Sequence, residues 1–343
     1  MRIDERKQKV LAAIIKDYVA TAEPVGSRTI ARKYNLGVSP ATIRNEMADL
    51  EEMGLIEQPH TSAGRIPSHR GYRYYVDCLM ERQQLTEEEE NYIRQAYMRK
   101  MREIDSVIQE TSRLLSELTN YTSMVLSPQA SQSEFKHIEL IPFQPLKALA
   151  VIITQAGFVL HRIMDISESI TAEDLRRVAQ VFNNKLKGVT LENLKKSVWQ
   201  DLYNELLQQK RLLREVMELL QDALQEPGEE KVYLGGTLNM LNQPEFRNVD
   251  KIKHMLAVLE ENQVLKSVLD TASRGITVKI GGENSYEELQ ECSVITATYE
   301  VDGKIIGKIG VLGPTRMEYS KAVSIVDFMT KTLSEVLSKF YGM

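Results

Sequence analysis

Apolar side chains in the first eighty residues fall into short helical stripes separated by turn residues. Val10, Leu11, Ile14, Ile15 and Val19 recur at helical spacing and predict an amphipathic helix over residues 4–20. After EPVG, Ser27 is placed as the N-cap of a short helix, RTIARKY. Asn35 and Gly37 supply a turn, with Leu36 and Val38 as apolar anchors. Ser39-Pro40 then gives an N-cap and a proline at the first helical position. Ile43, Met47 and Leu50 form the inner stripe of that helix, and Gly54 ends it. Leu55-Ile56 and Ile66-Pro67 read as two short β edges around the polar segment PHTSAGR, and Ser68 caps a further helix through GYRYYVDCLM. This order predicts a winged helix-turn-helix spanning residues 1–80.

Beyond a charged junction, LTEEEENYIRQ, the apolar pattern changes. Tyr97, Met101, Ile104, Ile108, Thr111, Leu115 and Leu118 alternate at spacings of four and three, which predicts a linker helix over residues 81–103. The seam suits packing on a domain or on a second copy, and its second half equally suits the first helix of a domain. Residues 122–166 turn to β character, residues 172–270 are mostly helical around VYLGGTLNML, and strands return in ITVKIGG and SVITATYEVDGKIIGKIGVLG. Asp302-Gly303 in the last of these is a type I′ hairpin signal. A final helix from Glu318 carries Ala322, Val326, Met329, Leu333 and Val336 on one face. The expected class is α+β and multidomain, with one α+β domain (residues 104–171 and 271–343) interrupted by a mainly helical insertion (residues 172–270).

Composition narrows the function more than the fold. Apolar residues make up 43% of the 343 and charged residues 27%, as in ordinary globular proteins. No apolar run is long enough to span a membrane, and the charged N-terminus is unlike a secretion signal, so a cytoplasmic location is expected. Cys78 and Cys292 stand far apart in periodic segments and are read as buried small hydrophobes rather than a disulfide. The net charge of -5 argues against a general polyanion binder. Residues 1–77 nevertheless hold 12 Lys+Arg against 10 Asp+Glu, which permits a nucleic-acid module at that end.

A reading face can be drawn on the helix that starts at Pro40. With Ile43 inward, 100° per residue places Ala41, Arg44, Asn45 and Ala48 outward, and outward acids appear only in the last turns, at Asp49 and Glu52. A recognition helix enters the major groove by its N-terminal end, so those acids lie away from the phosphates. Arg44 can donate two hydrogen bonds to guanine and Asn45 can pair bidentately with adenine, while Ala41 and Thr42 are small enough to approach a thymine methyl. Ser27, Arg28 and Thr29 are expected at the backbone, and Ser39 is counted among the DNA-binding residues as well as the N-cap. At the wing, His60, Thr61, Ser62 and Arg65 are expected to touch the duplex, with Arg65 suited to a narrow minor groove. A winged helix also serves protein contacts, so a pure interaction scaffold stays open; it predicts no salt-dependent duplex binding.

The stretch Glu23–Asp77, particularly VSPATIRN, QPHTSAGRIP and GYRYYVD, closely resembles the N-terminal signature of the HrcA family of heat-inducible transcription repressors. KHIELIP and GGTLNMLNQPEF resemble that family as well, so the likeness extends over essentially the whole chain. The resemblance implies a winged helix, a GAF-like domain and an inserted dimerisation domain. It implies a homodimer on double-stranded DNA carrying an inverted-repeat operator, CIRCE, ahead of chaperone genes. It also implies dependence on a GroEL-type chaperonin. No enzyme, cofactor or metal is expected. The five histidines (His60, His69, His137, His161 and His254) do not cluster, and the Gly-Gly pairs lack a phosphate-loop context. The alternative is a metabolite-responsive winged-helix transcription factor with a ligand in the GAF-like domain, which requires a pocket of converging polar groups.

Overall fold

A computed structural model describes residues 3–61, 63–100, 103–128, 134–155, 159–168, 170–189, 231–246, 248–270, 274–301 and 303–341. The head begins with α1 (Glu5–Thr21), whose N-cap Asp4 accepts a hydrogen bond from the Lys7 amide at 2.9 Å. Helices α2 (Ser27–Lys33) and α3 (Pro40–Glu52) follow. Strands β1 (Ile56–Glu57) and β2 (Ile66–Pro67) pair antiparallel as the wing, and α4 (His69–Tyr74) runs into one wide π-type turn, Tyr75–Leu79. These elements enclose Val10, Leu11, Ile14, Ile30, Ile43 and Leu50, all fully buried. The N-cap of α2 is Gly26, not Ser27. Ser27 is already inside the helix, and no side chain caps this end.

The expected linker is two helices, α5 (Glu87–Lys100) and α6 (Ile104–Thr119), broken by the extended backbone of Glu103. α5 folds back on α6, and the Tyr97 hydroxyl lies 2.9 Å from Thr111 Oγ1. Tyr97, Ile104, Ile108, Thr111 and Leu115 are buried inside the chain, so the four-three seam is used internally and is not open to a second copy. Met101 lies outside the described residues.

The main sheet has the order β7-β3-β10-β9-β8, built from β3 (Thr122–Leu126), β7 (Val232–Gly235), β8 (Ile276–Ile280), β9 (Cys292–Val301) and β10 (Lys304–Pro314). All its pairings are antiparallel. Both faces are covered. Val125, Ile295, Ala297, Tyr299, Ile309 and Val311 join the core with α6 and the terminal helix α10 (Tyr319–Tyr341). Met124, Leu126, Val294 and Leu312 join a second core with α8 (Val249–Glu260) and α9 (Asn262–Asp270). A strand buried on both sides reads as a continuous apolar run, which is how β9 and β10 appear in the sequence. Gly303 sits at the β9–β10 turn with φ +75°; its expected partner Asp302 lies outside the described residues.

A separate three-stranded sheet is formed by β4 (Phe135–Gln144), β5 (Lys147–Thr154) and β6 (Val159–Asp165) in that order, with α7 (Ala172–Lys185) on one face. It has its own core, including Phe135, Ile138, Ile152, Leu175, Val178 and Phe182. Asn183 ties helix to sheet, donating to the Ile138 carbonyl at 3.0 Å and accepting from its amide at 2.7 Å. This connectivity moves the expected domain boundaries. Residues 231–270, assigned from the sequence to the insertion, supply β7, α8 and α9 of the main sheet's unit, whereas residues 135–165, assigned to the interrupted domain, lie in the smaller sheet. Periodicity identifies a strand but not the strand beside it, and the partners of β3 stand far along the chain. Met124 pairs with Leu234 and with Gly310, 110 and 186 positions later. The helical reading of LYNELLQQKRLLREVMELL, within residues 190–230, lies outside the described residues.

The head docks directly on the main sheet's unit, which the sequence did not reveal. Arg73 Nε donates to Glu283 Oε1 at 2.9 Å, and its Nη2 reaches the Val278 carbonyl. Arg316, just before α10, donates to Glu245 Oε1 at 2.6 Å and to the Val19 carbonyl of α1. The rings of Tyr72 and Tyr319 meet at 5.7 Å between centroids, so the two apolar cores are continuous. Cys78, expected to be buried, is exposed on the wide turn; Cys292 is buried, and burial pushes its thiol up to about 12.

Candidate nucleic-acid interface

The start of α3 is fixed by its first two residues. Ser39 Oγ accepts the Thr42 amide at 3.1 Å, satisfying one of the unpaired donors of the first turn, and Pro40 lacks the amide that would otherwise be left over. Asn35 (φ +40°) and Gly37 (φ +71°) turn the chain into this cap. Ile43, Met47 and Leu50 face inward, and Ala41, Arg44, Asn45 and Ala48 are exposed on the opposite side, as the spacing predicts. Thr42 is half-buried, with its hydroxyl 3.0 Å from Ser39 Oγ, so it supports the cap more than it faces outward.

A cleft of about 540 Å³ opens between α2, the first turns of α3 and the root of the wing. Its lining includes Ser27, Arg28, Ala41, Arg44, Asn45 and Arg65. The structure therefore brings together six of the residues singled out from the sequence. Thr29 is half-buried beside them, His60 and Thr61 are exposed at the wing, and Ser62 lies outside the described residues.

The acids of this region are largely neutralised from behind. Lys7 Nζ of α1 lies 2.8 Å from Asp4, 3.0 Å from Glu46 and 3.1 Å from Asp49. Its side chain is only 14% exposed, and hydrogen bonds to Asp4, then Glu46, then Asp49 hold the ammonium well above its usual value. Arg6 adds a longer contact to Glu46 at 3.4 Å. At the other end of α3, Glu51 Oε2 accepts from Arg65 Nε at 2.9 Å and Nη2 at 2.7 Å. Arg28 and Arg44 make no ion pair among the described residues. The local sequence is balanced in charge, but the exposed end of α3 is not.

Two contacts at the wing escaped sequence reasoning. Gln58 Nε2 donates to the carbonyls of Thr61 and Ala63, both at 3.0 Å, and so closes the wing tip. Arg65 exchanges two backbone hydrogen bonds with Val25, at 2.8 and 2.9 Å, so the wing is stitched to the α1–α2 loop. A polar residue at the base of a turn is a fair signal for the first. No local signal announces the second.

A capped helix presenting unpaired guanidinium and amide groups beside a short wing defines the DNA-binding winged-helix class of transcription factors. The chain's family follows from comparison with known proteins. Residues 3–77 match the family described as "Winged helix-turn-helix transcription repressor, HrcA DNA-binding", and residues 105–323 match "HrcA protein C terminal domain". The chain belongs to the HrcA family of heat-inducible transcription repressors. It is 56% identical to the heat-inducible transcription repressor HrcA of Pelotomaculum thermopropionicum, covering 99% of this chain and 98% of that one. It is 53% identical to the repressor of the same name from Moorella thermoacetica, covering 99% and 100%. A crystal structure described only as a hypothetical protein shares the fold, with a TM-score of 0.64 at 23% identity over 99% of this chain and 100% of that one.

Proposed function

We propose that this repressor binds an inverted-repeat operator of the CIRCE kind as a homodimer, with Arg44 and Asn45 reading base edges. The supporting observation is the charge arrangement on α3, where the acids are paired behind and Arg44 and Asn45 stand exposed at the end that enters the groove. Ser27, Arg28, Thr29 and Ser39 take the phosphate backbone in this reading, and His60 and Thr61 meet it from the wing.

Twofold DNA needs a twofold reader. The face of the three-stranded sheet opposite α7 is a suitable surface for pairing two copies. On that face Phe143, Val159 and Ile163 are each more than half exposed, beside Ile141. The strand register sets Ile141, Leu149 and Ile163 side by side across this face, which supports its use as an interaction surface. We also propose that a GroEL-type chaperonin sets the supply of active dimer, and that the main sheet's unit is GAF-like with a filled core. The sheet is packed on both faces by apolar side chains, which favours this reading over a metabolite sensor.

The test is a titration of a duplex inverted repeat against a scrambled duplex, with light scattering on the complex. Two chains per inverted repeat and a clear preference over the scrambled duplex are expected. One chain per duplex, or equal affinity for both duplexes, overturns the reading.

A further inference from the structure

Arg65 was expected to enter the minor groove, but its guanidinium is occupied. Both Nε and Nη2 are turned onto Glu51 Oε2, and the residue's own amide and carbonyl are joined to Val25. Arg65 also lines the cleft that holds Arg28 and Arg44, so three guanidinium groups surround one space and Glu51 cancels one of them. The approach of the wing root is tight as well. A Cβ at Gly64 would stand 2.6 Å from the Val25 carbonyl atoms, so this segment has little freedom to swing Arg65 out by moving the backbone.

We infer that Glu51 is a positioning residue for DNA binding: it holds Arg65 as the anchor of the wing to α3 and keeps its charge off the phosphates. The inference rests on the reading of α3 and the wing as the DNA face. Its physical basis is that phosphate contacts provide affinity without sequence information. A third free guanidinium in the cleft would raise binding to every duplex alike. A half-exposed ion pair is worth at most about 1 kcal/mol, so a polyanion competes with it readily unless the pair is fixed by geometry. Here two donors share one carboxylate oxygen, and the backbone of Arg65 is held at the same time.

The experiment uses the full-length protein with Glu51→Gln, Glu51→Asp, Arg65→Gln and the double variant Glu51→Gln/Arg65→Gln. Binding to the inverted repeat and to a random duplex is measured from 0.05 to 0.3 M salt, after thermal melts establish that each variant is folded. Each added phosphate contact steepens the salt dependence by about 0.9 in log–log slope, which is about fivefold in affinity near 0.15 M. Glu51→Gln is expected to gain that slope and that affinity on random duplex, lowering its preference for the inverted repeat. Glu51→Asp keeps the charge and is expected to retain the parent slope, and the double variant is expected to lose the gain.

An unchanged slope in Glu51→Gln, or a gain that persists in the double variant, overturns the inference. If Glu51→Gln does not fold, Arg65→Gln decides: an anchor held off the phosphates leaves the random-duplex slope as in the parent, and a fall of about 0.9 overturns the inference. Failure of the underlying reading has a different signature, since the parent itself would then show no salt-dependent binding to either duplex.

Discussion

Tyr72 and Ser39 show how single atoms set this molecule's properties. The Tyr72 hydroxyl is buried at the head–sheet junction without a hydrogen-bond partner among the described residues. An unsatisfied buried hydroxyl is a cost, so Tyr72→Phe is expected to leave stability unchanged or raise it by up to about 1 kcal/mol while keeping the ring contact with Tyr319. Chemical denaturation checks this, and a loss above that size would mean the hydroxyl has a partner. Ser39 is the opposite case. Removing its cap with Ser39→Ala should cost about 1 kcal/mol, read in the same assay, because the Thr42 amide then loses its acceptor. Much at this scale was legible in the sequence: Ser39, Pro40, Gly54 and Ser68 act as their residue types predict. The pairing of Arg65 with Glu51 was not legible, because Glu51 lies fourteen positions away and on another element.

At the scale of elements, α4 is locked beneath the end of α3 by a close approach. A Cβ at Gly71 would stand 2.0 Å from the Leu55 carbonyl oxygen, and Ser68 joins the same corner by donating to the Gly54 carbonyl at 2.7 Å. Gly71→Ala must therefore push α4 away from the wing, at a cost of about 1–3 kcal/mol. A melting temperature equal to that of the parent would show that the corner can yield. Helices and strands with one buried face were visible from periodicity; α1 and α3 begin and end within a residue or two of expectation, and α10 begins one residue after the expected Glu318. Strands β3, β9 and β10 were also visible. Asp302-Gly303 also marked β9 and β10 as neighbours, whereas the partners of β3 were not visible, because a strand buried on both faces carries no mark of which strand lies beside it.

Between head and main sheet, Arg73 and Arg316 add polar contacts to the continuous apolar core. Glu283 is pushed up by burial, but Arg73 and the Ile280 amide more than offset this and hold it below the ordinary carboxylate value near 4.5. A lowered pKa means the pair stabilises docking at pH above that value and loses its contribution as pH falls below it. The effect is less than about 1 kcal/mol because both groups are partly exposed. Acid-induced loosening of the head, followed by amide exchange in α4 and β8, should therefore shrink in Arg73→Gln. Identical acid profiles for parent and variant would argue against this role. Arg316→Ala leaves Glu245 without its partner and should cost about 1–3 kcal/mol.

The long separations around β3 also bear on the chaperonin proposal. Non-local pairing slows folding and leaves apolar strands exposed meanwhile. Recovery of duplex binding after dilution from denaturant is expected to be poor alone and to rise with chaperonin and ATP. Full recovery without chaperonin would remove that part of the proposal.

The central claim, that the exposed N-terminal face of α3 reads sequence, is tested most directly by Arg44→Ala and Asn45→Ala on two duplexes at one salt concentration. The account predicts a loss of about 1–3 kcal/mol for each on the inverted repeat and little change on random duplex. Equal losses on both duplexes would contradict it and make these residues phosphate contacts.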